Sequence, residues 1–279
     1  MIGPLAKRII TLLPQNTLSR LAGRLGRSRL SKYFIKPYIS IFNINTEEIE
    51  KPVAEYPHLT AFFTRKLKAG TRPVCPLPEA IVSPVDGKVA QFGPIHQGTL
   101  IQAKNINYTV KQLLGCSEET AAKYEGGTFL TIYLSPRDYH RIHMPLDGRL
   151  TKLTYIPGRL FPVNSIGVYH VPGLFTKNER LITYASTSAG EIAIVKVGAF
   201  IVGSVKVAYG EHATNVKNGQ MYSKRLNDGP VYKKGEEVGL FEFGSTVILL
   251  FKKDKIALNE RIRGGTFLRY GEQIGTIIT

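Results

Sequence analysis

The sequence predicts an α+β protein: a predominantly antiparallel β-sheet or barrel-sandwich-like core, preceded by a helical N-terminal segment. Short β-rich runs follow one another from about residue 80: "AIVSPV", "GKVAQF", "TFLTIYL", "EIAIVKVGAFIVGSVKVAY" and "TVILLF", separated by Asp-Gly, Gly-Pro and Gly-Glu breaks. The composition, with 27 Gly, 16 Pro, 14 Tyr and 13 Phe, favours strands joined by many turns. The best helix candidate, an amphipathic stretch, lies near the start. At 279 residues, 43% hydrophobic and 21% charged, the chain is long enough for a substantial core and globular in character.

In "TLSRLAGRLGRSRL" (17–30), a step of 100° per residue puts Leu18, Leu21 and Leu25 on one side and Arg20, Arg24 and Arg27 on the other. Gly23 and Gly26 weaken it as a free helix in water. Two placements fit: a helix lying in an anionic lipid interface, or one packing its leucines on the protein's own core with solvated arginines. "SKYFIKPYISIFNI" (31–44) interleaves aromatics with lysines, as favoured at lipid headgroups, and Pro37 breaks any long helix there. The acidic, proline-punctuated "NTEEIEKPVAEYP" marks a boundary, dividing an N-terminal segment, 1–57, from a main domain, 58–279. "HLTAFFTRKLKAG" then predicts a short helix ending at Gly70, with lysines in its last turn.

Beyond it strands dominate, and "VDGKV" predicts a tight hairpin turn. Cys75 and Cys116 allow at most one disulfide, form no metal-binding pattern and point to a reducing compartment. The net charge of +16 calls for a polyanionic partner, nucleic acid or an acidic membrane surface. No apolar run approaches the roughly 20 residues that span a bilayer, and "MIGPLAKRII" does not read as a signal peptide.

Two places invite chemistry. "YLSPRDYHRIHMP" holds the closely spaced histidines. Ser135 before Pro136, with Asp138 able to reach back, resembles a helix N-cap, and a helix would put His140 and His143 on one face; a strand would turn them to opposite sides. The capping signal favours the helix. The pair admits acid–base work, a core role or a metal, although zinc needs three or four protein ligands and no third stands nearby. Gly-Ser steps occur at Gly203-Ser204 and Gly244-Ser245. A glycine in a strand ordinarily marks a bulge or a close backbone approach. At Gly244-Ser245 there is a chemical reading too: glycine tolerates a strained peptide, and the hydroxyl that follows lies within reach of that peptide's carbonyl carbon.

Taken together, "LTAFFTRKLKAGTRP", "SPVDGKV", "YLSPRDYHRIHMPLDGRL", "PGRLFPVNS", "LFTKNERL", "VGAFIVGSV" and "KKGEEVGLFEFGSTVILLF" resemble the prokaryotic type of phosphatidylserine decarboxylase proenzymes, in nearly unbroken order from about residue 59 to 251. The family commonly shows Leu-Gly-Ser-Thr at its processing site, whereas Phe243 precedes Gly244 here. The resemblance implies self-cleavage between Gly244 and Ser245, giving a β chain, 1–244, and an α chain, 245–279. Ser245 then becomes a covalent pyruvoyl group, by ester formation, β-elimination and hydrolysis with loss of ammonia. It implies a self-processing triad of Asp86, His143 and Ser245, with His140 serving decarboxylation. It further implies a carboxy-lyase that converts phosphatidylserine to phosphatidylethanolamine through a Schiff base on the pyruvoyl group, with no metal. The implied partners are the phospholipid substrate, an anionic membrane and the protein's own two chains, with a dimer of these left open. The implied place is the cytoplasmic face of the bacterial inner membrane, held peripherally by the N-terminal segment. Other readings fit less of the chain. A lipoyl- or biotinyl-carrier barrel lacks the usual context of its lysine, a metallohydrolase lacks its third ligand, and a nucleic-acid binder has only charge.

Overall fold

All seven residues of the strand Ser245–Phe251 are buried, because its two faces enter different cores. Val247, Leu249 and Phe251 pack into one, and Ile248 and Leu250 into the other. A strand covered on both faces loses the polar alternation of a half-exposed one, so "TVILLF" reads as an unbroken apolar run. The computed structural model of the chain, which describes residues 14–103, 106–200, 204–242 and 244–278, sets this strand inside a large sheet. The order is Tyr222–Arg225, Gly148–Ile156, Arg180–Thr187, Gly190–Val197, Ser245–Phe251, Thr128–Leu134, Gly87–Pro94 and Phe267–Leu268. Every pairing along it is antiparallel, as the sequence predicts.

Two three-stranded sheets cover the face that carries Val247. One runs Val205–Val207, Glu237–Phe241, Arg141–His143, and the other Ala80–Val82, Gln273–Ile277, Ile256–Leu258. They bring Val205, Phe241, Ile142, Ile81 and Ile274 to that core. The opposite face is covered by the short helices Val110–Leu114 and Leu174–Lys177 and by the hairpin of Thr99–Ala103 with Ile106–Thr109.

Several local expectations change in this setting. "VDGKV" is not a hairpin: Ala80–Val82 pairs with Gln273–Ile277, and Gly87–Pro94 joins Thr128–Leu134 in the other sheet. The glycine answers to a close approach instead, since a Cβ on Gly87 would lie 2.5 Å from the Tyr133 carbonyl oxygen. The long run "EIAIVKVGAFIVGSVKVAY" is two strands, Gly190–Val197 and Val205–Val207, in different sheets; Gly203 lies outside the described residues. The helix expected to end at Gly70 is only Leu59–Phe63, capped by His58 Nδ1, which accepts from the Ala61 amide. It stops where Arg65 turns its guanidinium onto the carbonyls of Arg137 and Asp138 and Glu50 N donates to the Lys66 carbonyl, so Lys66 and Lys68 lie beyond it. Both cysteines are free.

The N-terminal helix Gln15–Gly26 resolves the open question about its faces. Its buried line is Gln15, Ser19, Gly23 and Gly26, while Leu21 and Leu25 are 52% and 60% exposed. Leu21 and Leu25 therefore do not pack on the core, while Leu18 is half-buried. The glycines that weaken the helix in isolation lie on its buried side. A 3₁₀ segment, Arg29–Phe34, and the helix Ile35–Phe42 follow. Pro37 sits in the first turn of the latter, where its missing N–H costs no hydrogen bond. Leu30, Tyr33, Phe34 and Ile41 add to the exposed apolar surface, while Ile35, Ile44, Ile49, Tyr56 and Phe62 form a small core beneath. Among the described residues no helix is long and apolar enough to cross a membrane.

Candidate active site

Ser245 opens its strand opposite Leu134 and is fully buried. Alternation puts it on the face of Val247, which packs against the layer containing Phe241 and Ile142. Its Oγ has no hydrogen-bond partner among the described residues. An unpaired buried hydroxyl costs about 1–3 kcal/mol, a cost that the neighbouring Thr246 Oγ1 shares. Gly244 is not demanded by packing: a Cβ there would meet no described atom within 4 Å. The close-approach explanation for this glycine therefore fails. The other Gly-Ser step differs, because Ser204 Oγ donates to Glu242 Oε2 at 2.9 Å.

The histidine segment is not a helix. Asp138 does reach back, accepting from Ser135 N and Oγ at 2.7 Å each, but Asp138 N returns to the Ser135 carbonyl and closes a turn. Residues Arg141–His143 then join a sheet, with Arg141 opposite Leu240 and His143 opposite Glu237. Non-local strand partners outweigh a local cap that serves a turn equally well. The two histidines accordingly meet different neighbours.

His140 is fully buried, its ring centroid 4.0 Å from that of Phe63. Its Nδ1 donates to the Asp138 carbonyl at 2.8 Å, which leaves Nε2 as the bare acceptor, and Nε2 has no partner among the described residues. Burial, aided by the charge of Arg65, pulls its pKa down to about 3, so the ring is a neutral base at physiological pH. The Phe241 amide donates to the His140 carbonyl at 2.9 Å, tying this residue to the strand that leads to Gly244.

His143 donates from Nδ1 to the Gly235 carbonyl at 2.8 Å, and its Nε2 faces the Tyr139 hydroxyl at 3.2 Å. Burial lowers its pKa as well, against the raising effects of the Gly235 hydrogen bond and of Glu237 and Asp86. Asp86 is buried and clamped by Arg72, whose Nε lies 3.2 and 3.1 Å from its two oxygens and whose Nη2 lies 2.8 Å from Oδ2. Arg72 also reaches Glu48 at 2.8 Å. Tyr270 links acid to imidazole: its N–H donates to Asp86 Oδ1 at 2.8 Å, and its ring stacks on His143 at 3.9 Å and 5°. Asp86 and His143 are thus brought to one tyrosine. Among the described residues, neither Asp86 with His143 nor His143 with Ser245 is joined by a hydrogen bond.

A largely apolar cavity of about 350 Å³ ends at Gly244, walled by Tyr38, Phe42, Phe63, Pro136, Val163 and Phe200. Tyr38 and Phe42 come from the helix Ile35–Phe42, and the Tyr38 hydroxyl donates to the Pro136 carbonyl at 2.9 Å. Sequence reasoning named none of these wall residues and missed the Arg72 clamp. Nothing in a linear reading pairs residue 72 with 86, or 270 with 86, although Phe63 and Arg72 both stand in the stretch "LTAFFTRKLKAGTRP". Phe243 lies outside the described residues.

With this geometry in hand, comparison with known proteins is specific. A family model described as phosphatidylserine decarboxylase matches residues 59–276. A phosphatidylserine decarboxylase proenzyme of Brevibacillus brevis is 50% identical over 269 residues, covering 96% of both chains. Proenzymes of the same description from Coxiella burnetii and Azotobacter vinelandii are each 43% identical, over 269 and 273 residues, with 95% of both chains covered.

Proposed function

The chain belongs to the phosphatidylserine decarboxylase family, and on that premise we propose the roles its residues play in producing and using a pyruvoyl group. The enzyme is a carboxy-lyase that converts phosphatidylserine to phosphatidylethanolamine. The observation that carries the assignment of residues is the placement of Ser245 Oγ and His140 Nε2, both among the buried atoms without partners in the described residues, beside one apolar cavity. Ser245 adjoins Gly244 at the end of an apolar cavity, and His140 packs on Phe63 in the wall of that cavity.

Self-cleavage uses the chain's own groups. His143, neutral through burial and oriented by its Gly235 hydrogen bond, takes the Ser245 Oγ proton once its contact with Tyr139 breaks. Oγ adds to the Gly244 carbonyl carbon, the C–N bond breaks, and the proton passes to the departing Ser245 nitrogen, leaving an ester. Asp86, held by Arg72 and Tyr270, supplies the negative charge that favours the transient imidazolium. Loss of the Cα proton and of the Gly244 carboxylate, then hydrolysis with release of ammonia, converts Ser245 into the pyruvoyl end of the α chain, 245–279; the β chain is 1–244.

The residues present fit that group: an open backbone at Gly244, a buried position at 245 with no competing hydrogen bond, and an unpartnered base nearby. The pyruvoyl group supplies an electron sink for the pair left when carbon dioxide departs. His140 Nε2 accepts a hydrogen bond from the headgroup ammonium and relays that proton to the α-carbon after decarboxylation, without being held as an imidazolium. The apolar walls exclude water and take the first part of the acyl chains. Intact mass of the purified protein tests this reading: two chains are expected, parting after Gly244, the smaller one carrying a hydrazine-reactive carbonyl. A single uncut chain in active material overturns it.

Residues 1–57 serve as the membrane-associating segment and 58–279 as the catalytic domain, bound peripherally at the cytoplasmic face of the bacterial inner membrane. The exposed Leu21 and Leu25 support this, with Arg20 and Arg24 on the same helix and Lys32 and Lys36 just beyond. A leucine side chain moved from water into an apolar medium gains about 1.5–3 kcal/mol. Leu21→Ser combined with Leu25→Ser is therefore expected to weaken sedimentation with anionic phosphatidylglycerol vesicles at least about tenfold while leaving the fold intact. Unchanged sedimentation would remove this helix from the membrane interface.

A further inference from the structure

Glu242 stands two residues before the scissile bond and is 4% exposed. Its carboxylate is gripped from three sides. Arg27 and Ser204 Oγ donate to Oε2, and Lys206 Nζ lies 2.8 Å from Oε1. Burial works to raise its pKa, but the hydrogen bonds from Lys206 and Ser204 and the charges of Lys206 and Arg27 outweigh it and hold the carboxyl below the usual range. The backbone is fastened as well, with Glu242 N donating to the Ser204 carbonyl at 2.8 Å.

Arg27 is the C-cap of the helix Gln15–Gly26, which shows Leu21 and Leu25 to the outside. One guanidinium therefore joins the helix with the outward leucines to Glu242, 215 positions away in sequence, which follows the strand Glu237–Phe241 and stands two residues before Gly244. A surface ion pair contributes little. Here one partner is buried, and stripping a buried carboxylate of a cation leaves an uncompensated charge that the local chain must move to relieve. The chain with least freedom to move without consequence is the one whose carbonyl Ser245 attacks.

We propose that Glu242 is a positioning residue for self-cleavage, gripped by Arg27 and Lys206 so that the backbone before Gly244 stays in register with Ser245 and that register is tied to the seating of the N-terminal helix. This rests on cleavage at Gly244–Ser245 as read above. The second Gly-Ser step finds its role here: Ser204 is a ligand of the clamp, which explains why its hydroxyl is occupied while that of Ser245 is not.

The test is the rate at which full-length precursor, made by cell-free synthesis and chased after translation is stopped, converts to two chains on a denaturing gel. Arg27→Glu and Glu242→Arg are each expected to slow conversion about tenfold, Arg27→Lys to leave it within about twofold, and the reciprocal Arg27→Glu/Glu242→Arg double variant to recover to within about threefold of wild type. All are assayed well below their measured melting temperatures, so that general loosening is separated from loss of register. Wild-type rates in both single variants, or a double variant no faster than either single, overturns the clamp while leaving the cleavage site standing. A wild-type chain that does not part at Gly244–Ser245 overturns both.

Discussion

Ser245→Ala is expected to accumulate as one uncut chain of 279 residues with decarboxylase activity at background, while folding at least as well as the parent. The reasons for the two halves differ. Without Oγ nothing attacks the Gly244 carbonyl, no ester forms, and the α chain never acquires its carbonyl group. The loss is therefore complete rather than partial, unlike the removal of an auxiliary donor. Stability moves the other way, because Ser245 Oγ is buried and unpartnered among the described residues. Deleting it removes a desolvation cost of about 1 kcal/mol or more and orphans nothing. Denaturing electrophoresis, headgroup turnover and a thermal melt read the three consequences on one preparation. Two chains from this variant would move the cleavage point elsewhere, and a large drop in melting temperature would mean that the hydroxyl has a structural partner.

The second large effect separates the histidines. His143→Ala is expected to block or strongly slow maturation, so that its inactivity is that of an uncut precursor. His140→Ala is expected to mature and yet lose about 10²–10⁴ in turnover, the range associated with a positioned acid–base group. The structure motivates the division. His143 sits with Tyr139 and Tyr270 in the group that contains Asp86, whereas His140 packs on Phe63, which lines the cavity, and keeps an unpartnered Nε2. Measuring cleavage and carbon dioxide release separately decides the matter. An uncut His140→Ala chain beside a normally processed His143→Ala chain would exchange the two roles.

Burial also sets the sign of the pH response. Folding depresses the pKa of His140 from 6.5 to about 3, so its neutral ring contributes fully to stability above about pH 6.5, and that contribution is lost as pH falls towards 3. His143, depressed in the same direction, adds to the acid side of the curve.

Much of this was legible in the linear chain because it depends on short-range pattern. Short β-rich runs, turn dipeptides and the aromatic content predict an antiparallel β core, and "FEFGSTVILLF" offers a hydroxyl directly after a glycine at Gly244 and Ser245. His140 and His143 stand out locally as a closely spaced pair, but their separate roles, and Asp86 as a site residue, came from the resemblance of whole motifs. The Ser135–Asp138 cap is real, but caps serve turns as well as helices, and Glu237–Phe241 was there to take Arg141–His143 into a sheet. The amphipathic pattern of residues 15–26 is real, but periodicity separates faces without saying which one turns inward.

What residue types and their spacing determined by themselves is the β-rich class and the excess of positive charge; the choice of Gly244-Ser245 over Gly203-Ser204 as the cleavage point came from the resemblance. Tertiary structure alone decided that Leu21 and Leu25 face out and small residues in, that Arg72 and Tyr270 hold Asp86, that an apolar cavity meets Gly244, and that Arg27 grips Glu242. The physical reason is one of range. Backbone preference and alternation act over a few residues and are written in consecutive letters, whereas burial, ion pairing and the sharing of one tyrosine between an acid and an imidazole exist only once distant segments have closed into contact.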